Sequence, residues 1–190
     1  MSRRKIIVYI ATSADGFIAR KDGGIDWLER PRPKGNYGMG NFAKSIDTIL
    51  LGRKTYDFYV SFVKEGMTAP DMGGGVKHYA FSRNPPRNVL PGFEFVKTPI
   101  KQFAERLRAE KGKNIWMMGG GGIIASFLDA GEIDEFIIHV IPVFIGEGIP
   151  LIAPRHRTVP LKLLSTKKFP DGVVRLHYHV SEARLVREGN

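Results

Sequence analysis

The stretch WMMGGGGIIASFL, residues 116–128, places four consecutive glycines between two apolar runs. Glycine loses more backbone freedom on folding than any other residue, so a run of four needs a structural reason. The residues before the glycines have the length and composition of a buried strand, and those after them are typical of a helix. One reading is an anion site, because amide N–H groups at a helix start are unpaired and glycine lets a phosphate approach the backbone. The other is a tight turn with close helix–sheet packing.

The rest of the chain alternates strands with helices. Ile100, Phe103 and Leu107 are spaced as on one face of a helix over 99–111, with Pro99 suited to the first turn and Gly112 to the stop. The order of elements favours an α/β sheet with short crossovers. Short apolar runs predict strands over 5–12, 47–52, 76–81, 114–118 and 135–141, with a helix over 123–129 that ends at Gly131.

The end of the chain predicts a different pairing. The sequence Pro170-Asp171-Gly172 is a turn signal between two strands over 161–169 and 173–180, which should form an antiparallel hairpin. A mixed, mostly parallel sheet results. The glycine- and proline-rich loops over 30–41 and 66–75 are expected beside a site, and residues 1–190 are expected to form a single domain.

Composition limits the classes of function. The chain has 190 residues, a net charge of +10 and no cysteine, which excludes disulfides, thiolate metal sites and cysteine nucleophiles. No apolar stretch approaches the roughly 18 residues of a membrane span and the amino terminus does not fit a signal peptide, so we expect a cytoplasmic protein without a membrane partner. The positive charge favours an anionic partner. Because Lys and Arg are spread along the chain, a phosphorylated small molecule is favoured over nucleic acid.

The glycine run does not fit either of the common nucleotide motifs well. Gly120, Gly122 and Ala125 match the G-x-G-x-x-A spacing of dinucleotide-binding proteins, but the run comes late and no acidic residue ends the following strand. A phosphate-binding loop of NTPases needs Lys and then Ser or Thr, where this chain has Ile124 and Ala125.

Two further strand ends carry groups suited to phosphate. Gly52 leads from a strand into a helix whose first turn holds Arg53 and Lys54, and cations at a helix N-terminus are mildly unfavourable unless an anion binds there. Two solvated side chains are the alternative. Ser82 and Arg83 end another strand and suit a phosphate monoester, such as the 2′-phosphate of an adenosine ribose. Ligands of open α/β sheets lie at the carboxyl ends of strands, where all three features fall.

Together these stretches resemble the dihydrofolate reductase superfamily. The resemblance rests on 11–19 (ATSADGFIA), 51–56 (LGRKTY), 81–83 (FSR) and 118–122 (MGGGG). The later stretch 141–151 (IPVFIGEGIPL) is similar to the branch built on the RibD C-terminal domain, the reductase domain of riboflavin biosynthesis. The resemblance implies a dihydrofolate reductase-like three-layer α/β/α fold, with a mixed, mostly parallel central sheet and a C-terminal antiparallel hairpin.

The resemblance also implies a function. It implies an NADPH-dependent reductase that transfers hydride to a small, phosphorylated heterocyclic substrate, most like 5-amino-6-(5-phosphoribosylamino)uracil reductase, and a homodimer with 142–151 at the contact. Family members join two of the glycines by a cis peptide. The cofactor-binding positions implied are Ala11, Thr12, Gly16, Phe17, Gly52, Arg53, Lys54, Thr55, Phe81, Ser82, Arg83, Met118, Gly119, Gly120, Gly121, Gly122 and Ile123.

The substrate side departs from the folate-reducing members. They place an acidic residue where this chain has 36–39 (NYGM), which contains no carboxylate, and this argues against folate reduction. Trp27 resembles the family's substrate-side tryptophan, and Asp26 is either a substituted acid or a helix N-cap. Asp15 is either a turn residue or a substrate contact. Asp15, Asp26 and Trp27 are therefore the substrate-side candidates.

Other functions remain as alternatives. His177 and His179 share one face of a strand, but no third ligand accompanies them, so we predict no metal site. A dihydrofolate reductase with a displaced acid is the alternative within the same class. A non-catalytic module that binds nucleotides or nucleic acid through the basic surface is the alternative from another class.

Overall fold

The computed structural model describes residues 3–64 and 75–181, so all of the predicted 66–75 loop except Gly75 lies outside the described residues. The described residues form ten strands and four α-helices, which include the seven strands and both helices whose ranges the sequence predicts. The strands are β1 (Ile6–Ser13), β2 (Phe17–Ala19), β3 (Ile46–Gly52), β4 (Lys77–Phe81), β5 (Phe93–Val96), β6 (Asn114–Gly119), β7 (Glu135–Ile141), β8 (Ile149–Pro150), β9 (Leu161–Lys168) and β10 (Val174–Val180). The helices are α1 (Met39–Lys44), α2 (Arg53–Lys64), α3 (Ile100–Ala109) and α4 (Gly121–Asp129).

Eight of these strands form one sheet in the order β5-β4-β3-β6-β1-β7-β10-β9. The first six are parallel, and β10 runs antiparallel to both β7 and β9. Strands β2 and β8 form a separate two-stranded antiparallel sheet. The mixed, mostly parallel sheet and its C-terminal hairpin are therefore confirmed. The six parallel strands all end at one edge, which is where ligands of such sheets bind.

The two-residue period of the strands divides the core between the two faces of the sheet. In β1, Val8 belongs to a core cluster with Phe103 of α3 and Phe127 of α4. Its neighbour Tyr9 belongs to the opposite cluster, with Phe42 of α1 and Tyr56 of α2. Helices α3 and α4 thus cover one face and α1 and α2 the other, which gives the three-layer arrangement.

The observed boundaries differ from the predicted ones mainly near caps and short elements. Helix α3 begins one residue after Pro99, which is its N-cap, and ends at Ala109 rather than at Gly112. Helix α4 begins at Gly121, two residues before the predicted start, so two of the glycines are helical. The predicted 30–41 loop contains a 3-10 turn, Asn36–Gly38, and the start of α1. No described helix is both long and apolar enough to cross a membrane.

Candidate active site

The three strand-end turns singled out in the sequence lie side by side. A Cβ on Gly52 would lie 3.3 Å from Cγ2 of Ile123, which brings the turn after β3 against the turn after β6. A Cβ on Gly120 would lie 3.5 Å from Oγ1 of Thr55. The turn after β4 joins them, because Arg53 Nη1 donates a hydrogen bond of 2.6 Å to the Asn84 carbonyl oxygen. One edge of the sheet therefore gathers two helix starts and several cations.

The glycine run combines an uncapped helix start with a close-packed position. A cis peptide joins Gly119 to Gly120, and α4 starts at Gly121 without a side-chain cap, which leaves amide N–H groups of its first turn for a ligand. A Cβ on Gly121 would lie 2.3 Å from the backbone oxygen of Pro150, so this position is a close-packed turn. A Cβ on Gly122 would meet nothing within 4 Å, and Gly122 borders an open cavity.

The predicted cations are partly engaged within the chain. The Asp57 carboxylate accepts hydrogen bonds of 2.8 and 2.9 Å from Arg53 Nε. Lys54 is exposed and borders the cavity. Ser82 Oγ accepts a hydrogen bond of 3.1 Å from the Asn84 N–H, and Arg83 is exposed at the rim of the same turn. The arrangement suits a phosphate that replaces or joins Asp57 at Arg53.

A cavity of about 1250 Å³ runs along this edge of the sheet. At one end it is bordered by the glycine run and the start of α2. The other end is bordered by Tyr9 and Ala11 of β1, Trp116 of β6 and His139 of β7. Predicted cofactor positions on its wall are Ala11, Gly52, Arg53, Lys54, Thr55, Phe81, Met118, Gly120, Gly121, Gly122 and Ile123.

The remaining predicted cofactor positions lie beside the cavity rather than on its described wall; they are Thr12, Gly16, Phe17, Ser82, Arg83 and Gly119. Thr12 is buried, with 3% of its surface exposed, and Gly119 is buried beneath the turn. Gly16 has a left-handed φ of 87° and its carbonyl oxygen accepts a hydrogen bond from Leu151 N–H. Phe17 pairs with Pro150 in the small sheet. These residues shape the loops around the site.

The three substrate-side candidates also lie off the described cavity wall. The Asp15 carboxylate accepts hydrogen bonds from the N–H groups of Ile145 (3.1 Å) and Gly146 (2.8 Å). A hydrogen bond with the Ser13 side chain and these backbone contacts hold the pKa of Asp15 below its usual range. Asp15 thus ties the loop after β1 to the loop after β7, a role that neither sequence reading gave.

The N-cap reading of Asp26 is wrong. Ile25 is the N-cap of the 3-10 turn Asp26–Leu28, and the Asp26 carboxylate instead accepts hydrogen bonds of 2.6 and 2.8 Å from Arg20. Trp27 is buried in a cluster with Phe169 and Ala11 packs against that cluster, so Trp27 supports the cavity wall from behind.

His139 is the site residue that sequence reasoning missed. It lies on β7 directly opposite Ala11, borders the cavity and is only 3% exposed. Burial, aided by the nearby Arg175 charge, lowers the pKa of His139 to about 4, although hydrogen bonding with the backbone of Tyr37 and Ile10 opposes the shift. Among the described residues, its Nε2 has no hydrogen-bond partner. The available signal was a lone polar residue in the apolar strand FIIHVI.

The other histidines of interest form no described metal cluster. His177 Nε2 lies 3.0 Å from Glu135 Oε2, an ion pair across β7 and β10 when the imidazole is protonated. Among residues 3–64 and 75–181, no group of three or more potential metal ligands comes together.

Comparison with known sequences agrees with this geometry. A sequence model described as the RibD C-terminal domain matches residues 76–175. The uncharacterized protein YwjB of Bacillus subtilis (strain 168) is 39% identical over 175 residues, which cover 92% of this chain and 97% of that protein.

Solved structures share the fold. A Shewanella sp. PV-4 protein assigned to riboflavin biosynthesis superposes with a TM-score of 0.79 at 28% identity and covers 93% of this chain and 99% of that one. The dihydrofolate reductase of Enterococcus faecalis, solved with NADP(H), superposes with a TM-score of 0.62 at 14% identity and covers 94% and 97%. The dihydrofolate reductase-like fold is thereby confirmed.

Proposed function

The chain belongs to the RibD C-terminal domain family of reductases, and from that premise we propose that it is an NADPH-dependent reductase of a phosphoribosylated aminopyrimidine. The observation that carries the proposal is that three phosphate-directed turns, Gly52–Thr55, Phe81–Arg83 and Gly119–Ile123, adjoin at one edge of the sheet. Residues of each turn border one end of the cavity. A reductase with an anionic dinucleotide cofactor needs such a site beside a pocket for its substrate.

The cofactor is proposed to lie with its phosphates over the turns after β3 and β6. Arg53, Lys54 and Thr55 then hold the phosphates, together with the amide N–H groups at the start of α4. Ser82 and Arg83 hold the 2′-phosphate. The bound nicotinamide supplies hydride, and Ala11, on the adjacent strand β1, positions it. The protein contributes orientation and exclusion of water, for which no catalytic pair is required.

The substrate is proposed to occupy the end of the cavity beyond Ala11. Aromatic side chains there suit a planar heterocycle, and Lys21, Arg30 and Arg32 on the same cavity wall suit its phosphate. The two carboxylates on the described wall are held elsewhere, since Asp57 pairs with Arg53 and Asp22 accepts a hydrogen bond from Gly24 N–H. This favours an aminopyrimidine over dihydrofolate.

The proposal is tested by two assays on the same protein. Quenching of tryptophan fluorescence reports binding of NADPH and NADH, because Trp116 borders the cavity. Loss of NADPH absorbance is then followed with 5-amino-6-(5-phosphoribosylamino)uracil and, in parallel, with dihydrofolate. Saturable NADPH binding and turnover of the aminouracil are expected. Absence of NADPH binding overturns the cofactor assignment, and turnover of dihydrofolate alone overturns the substrate assignment.

Arg83→Ala is expected to weaken NADPH about 10- to 100-fold and NADH less than about threefold. An arginine hydrogen-bonded to a phosphate contributes on the order of 1.5–3 kcal/mol, and NADH lacks the 2′-phosphate. The measurement is the dissociation constant of each cofactor from fluorescence titration.

Arg3→Ala is the matched control for the change in net charge. Arg3 is exposed just before β1, at the opposite edge of the sheet, so both affinities should stay within about twofold of wild type. Equal losses of NADPH and NADH affinity in Arg83→Ala contradict the 2′-phosphate assignment.

A homodimer, a cytoplasmic location and a single domain over 1–190 complete the proposal. Within the 142–151 segment proposed for the dimer contact, Phe144 has 81% of its surface exposed. Such exposure of a large apolar side chain suits burial against a second subunit. Light scattering coupled to gel filtration measures the assembly directly, and a monomeric mass contradicts the dimer.

A further inference from the structure

The aromatic end of the cavity contains a buried polar group that the proposed function does not use. His139 is 3% exposed, and its ring centroid lies 4.8 Å from that of Tyr9 and 5.9 Å from that of Tyr37. Buried polar atoms are almost always hydrogen-bonded, so one without a partner needs an explanation. Among residues 3–64 and 75–181, five buried side-chain atoms lack a hydrogen-bond partner, and His139 Nε2 is the one whose residue borders the cavity.

The position of His139 relative to the cofactor follows from the order of the strands. The sheet runs β4, β3, β6, β1, β7 across the ligand-binding edge, with the phosphate-directed turns after β4, β3 and β6. A cofactor that extends from those turns across β6 reaches Ala11 on β1. His139 is the cross-strand partner of Ala11 on β7, so it lies on the side away from the phosphates.

The chemistry of the imidazole follows from its surroundings. Tyr9, Tyr37 and Phe169 pack around the ring and Arg175 is its cross-strand neighbour on β10, so a protonated imidazole is disfavoured. A neutral imidazole has one donor and one acceptor nitrogen. Nε2 is buried without a partner among the described residues, so it can accept a hydrogen bond in the tautomer that carries the proton on Nδ1.

We propose that His139 is a specificity residue whose Nε2 accepts a hydrogen bond from an N–H or NH₂ group on the edge of the bound heterocycle. The inference rests on the proposed reductase function and identifies the edge of the substrate that would contact this end of the cavity. A substrate with a donor at this edge completes a buried hydrogen bond. An analogue without the donor leaves Nε2 unpaired, which sites of this kind discriminate against strongly.

The kinetic test compares His139→Phe, which keeps a ring but has no acceptor, with His139→Gln, which keeps one. With 5-amino-6-(5-phosphoribosylamino)uracil, His139→Phe is expected to raise KM about 10- to 100-fold while kcat changes less than about threefold. His139→Gln should recover at least part of that loss. His78→Phe, the same change at a histidine of β4 that does not border the cavity, should leave KM within about threefold. The dissociation constant of NADPH should stay within about threefold of wild type in every variant.

A spectroscopic test does not depend on turnover. The ¹⁵N shift of His139 Nε2 is followed by NMR in the NADPH-saturated wild-type protein as 5,6-diaminouracil or dihydrofolate is added, with His139→Phe to assign the signal. A shift on saturation supports the acceptor role. An unchanged KM in His139→Phe when the wild type turns the aminouracil over, or an Nε2 signal that neither probe moves, overturns the inference. Lack of aminouracil turnover by wild type that binds NADPH overturns only the proposed substrate.

Discussion

Gly121→Ala is expected to lower the free energy of unfolding by about 3 kcal/mol or more, although it adds only one methyl group. A Cβ at this position would lie 2.3 Å from the backbone oxygen of Pro150 and 3.2 Å from that of Leu151. Backbone atoms cannot rotate away as a flexible side chain can. The Ala153 N–H also donates a hydrogen bond of 3.1 Å to the Gly121 carbonyl oxygen, which further fixes the two segments. Urea unfolding followed by tryptophan fluorescence measures the loss.

Gly122→Ala is the matched control, since it makes the same chemical change one residue later in the same helix. A Cβ there would meet nothing within 4 Å, and alanine has a helix propensity better than that of glycine by about 1 kcal/mol. The free energy of unfolding of Gly122→Ala is expected to equal or slightly exceed that of the wild type. If both variants unfold at the same urea concentration, the close packing of α4 on the 150–151 backbone is contradicted.

Gly121 and Gly122 also show what the sequence around them could and could not predict. Four glycines after a strand predicted either an anion-binding helix start or a packing turn, and the structure shows close packing at Gly121. Gly121 is fixed by residues 150–151, about 30 residues away in sequence, and local pattern carries no information about such a contact. Gly122 remains open to the cavity.

The central strands β1, β3, β6 and β7 could be predicted because they are short and mostly buried on both faces. Such strands appear as continuous apolar runs, and the prediction for β7 over 135–141 agrees with the structure to the residue. Strands β2, β5 and β8 were not predicted. Strand β5 has four residues at an edge of the main sheet, while β2 and β8 have three and two residues and are defined by pairing with each other. Helix α1 has six residues and begins within a glycine-rich loop, so it has no clear helical period.

The candidate site likewise has one end that the sequence could predict and one end that it could not. The end proposed for the cofactor phosphates consists of local motifs, in which glycine, cations and hydroxyl groups follow a strand directly, so the sequence alone could single out these three turns. Its aromatic end depends on long-range register. Ala11 and His139 become neighbours only when β1 pairs with β7. The acids Asp15 and Asp26 attracted attention because of their residue type. In the structure Asp15 contacts Gly146, far along the chain, whereas Asp26 pairs with the nearby Arg20.

His139→Phe is expected to remove a pH dependence of stability that the wild-type protein has between pH 7 and pH 5. The pKa of His139 is lowered from 6.5 to about 4 in the folded state, chiefly by burial. Below pH 6.5 the unfolded chain therefore binds a proton at this residue that the folded chain does not bind, and stability falls as the pH falls. The contribution is fully present above pH 6.5 and is lost as the pH approaches 4.

The size of this effect follows from the two pKa values. Linkage gives a loss of about 2 kcal/mol between pH 7 and pH 5 and about 3 kcal/mol by pH 4. Urea unfolding of wild type and His139→Phe at pH 7, 6 and 5 measures it as the difference between their pH profiles.

Burial also lowers the pKa of His78, and this contribution cancels in that difference because both proteins retain His78. Any constant effect of the phenylalanine on packing shifts the whole profile without changing its slope. Parallel profiles in the two proteins therefore mean that His139 is not held neutral by the fold, and the acceptor role proposed for its Nε2 loses its physical basis.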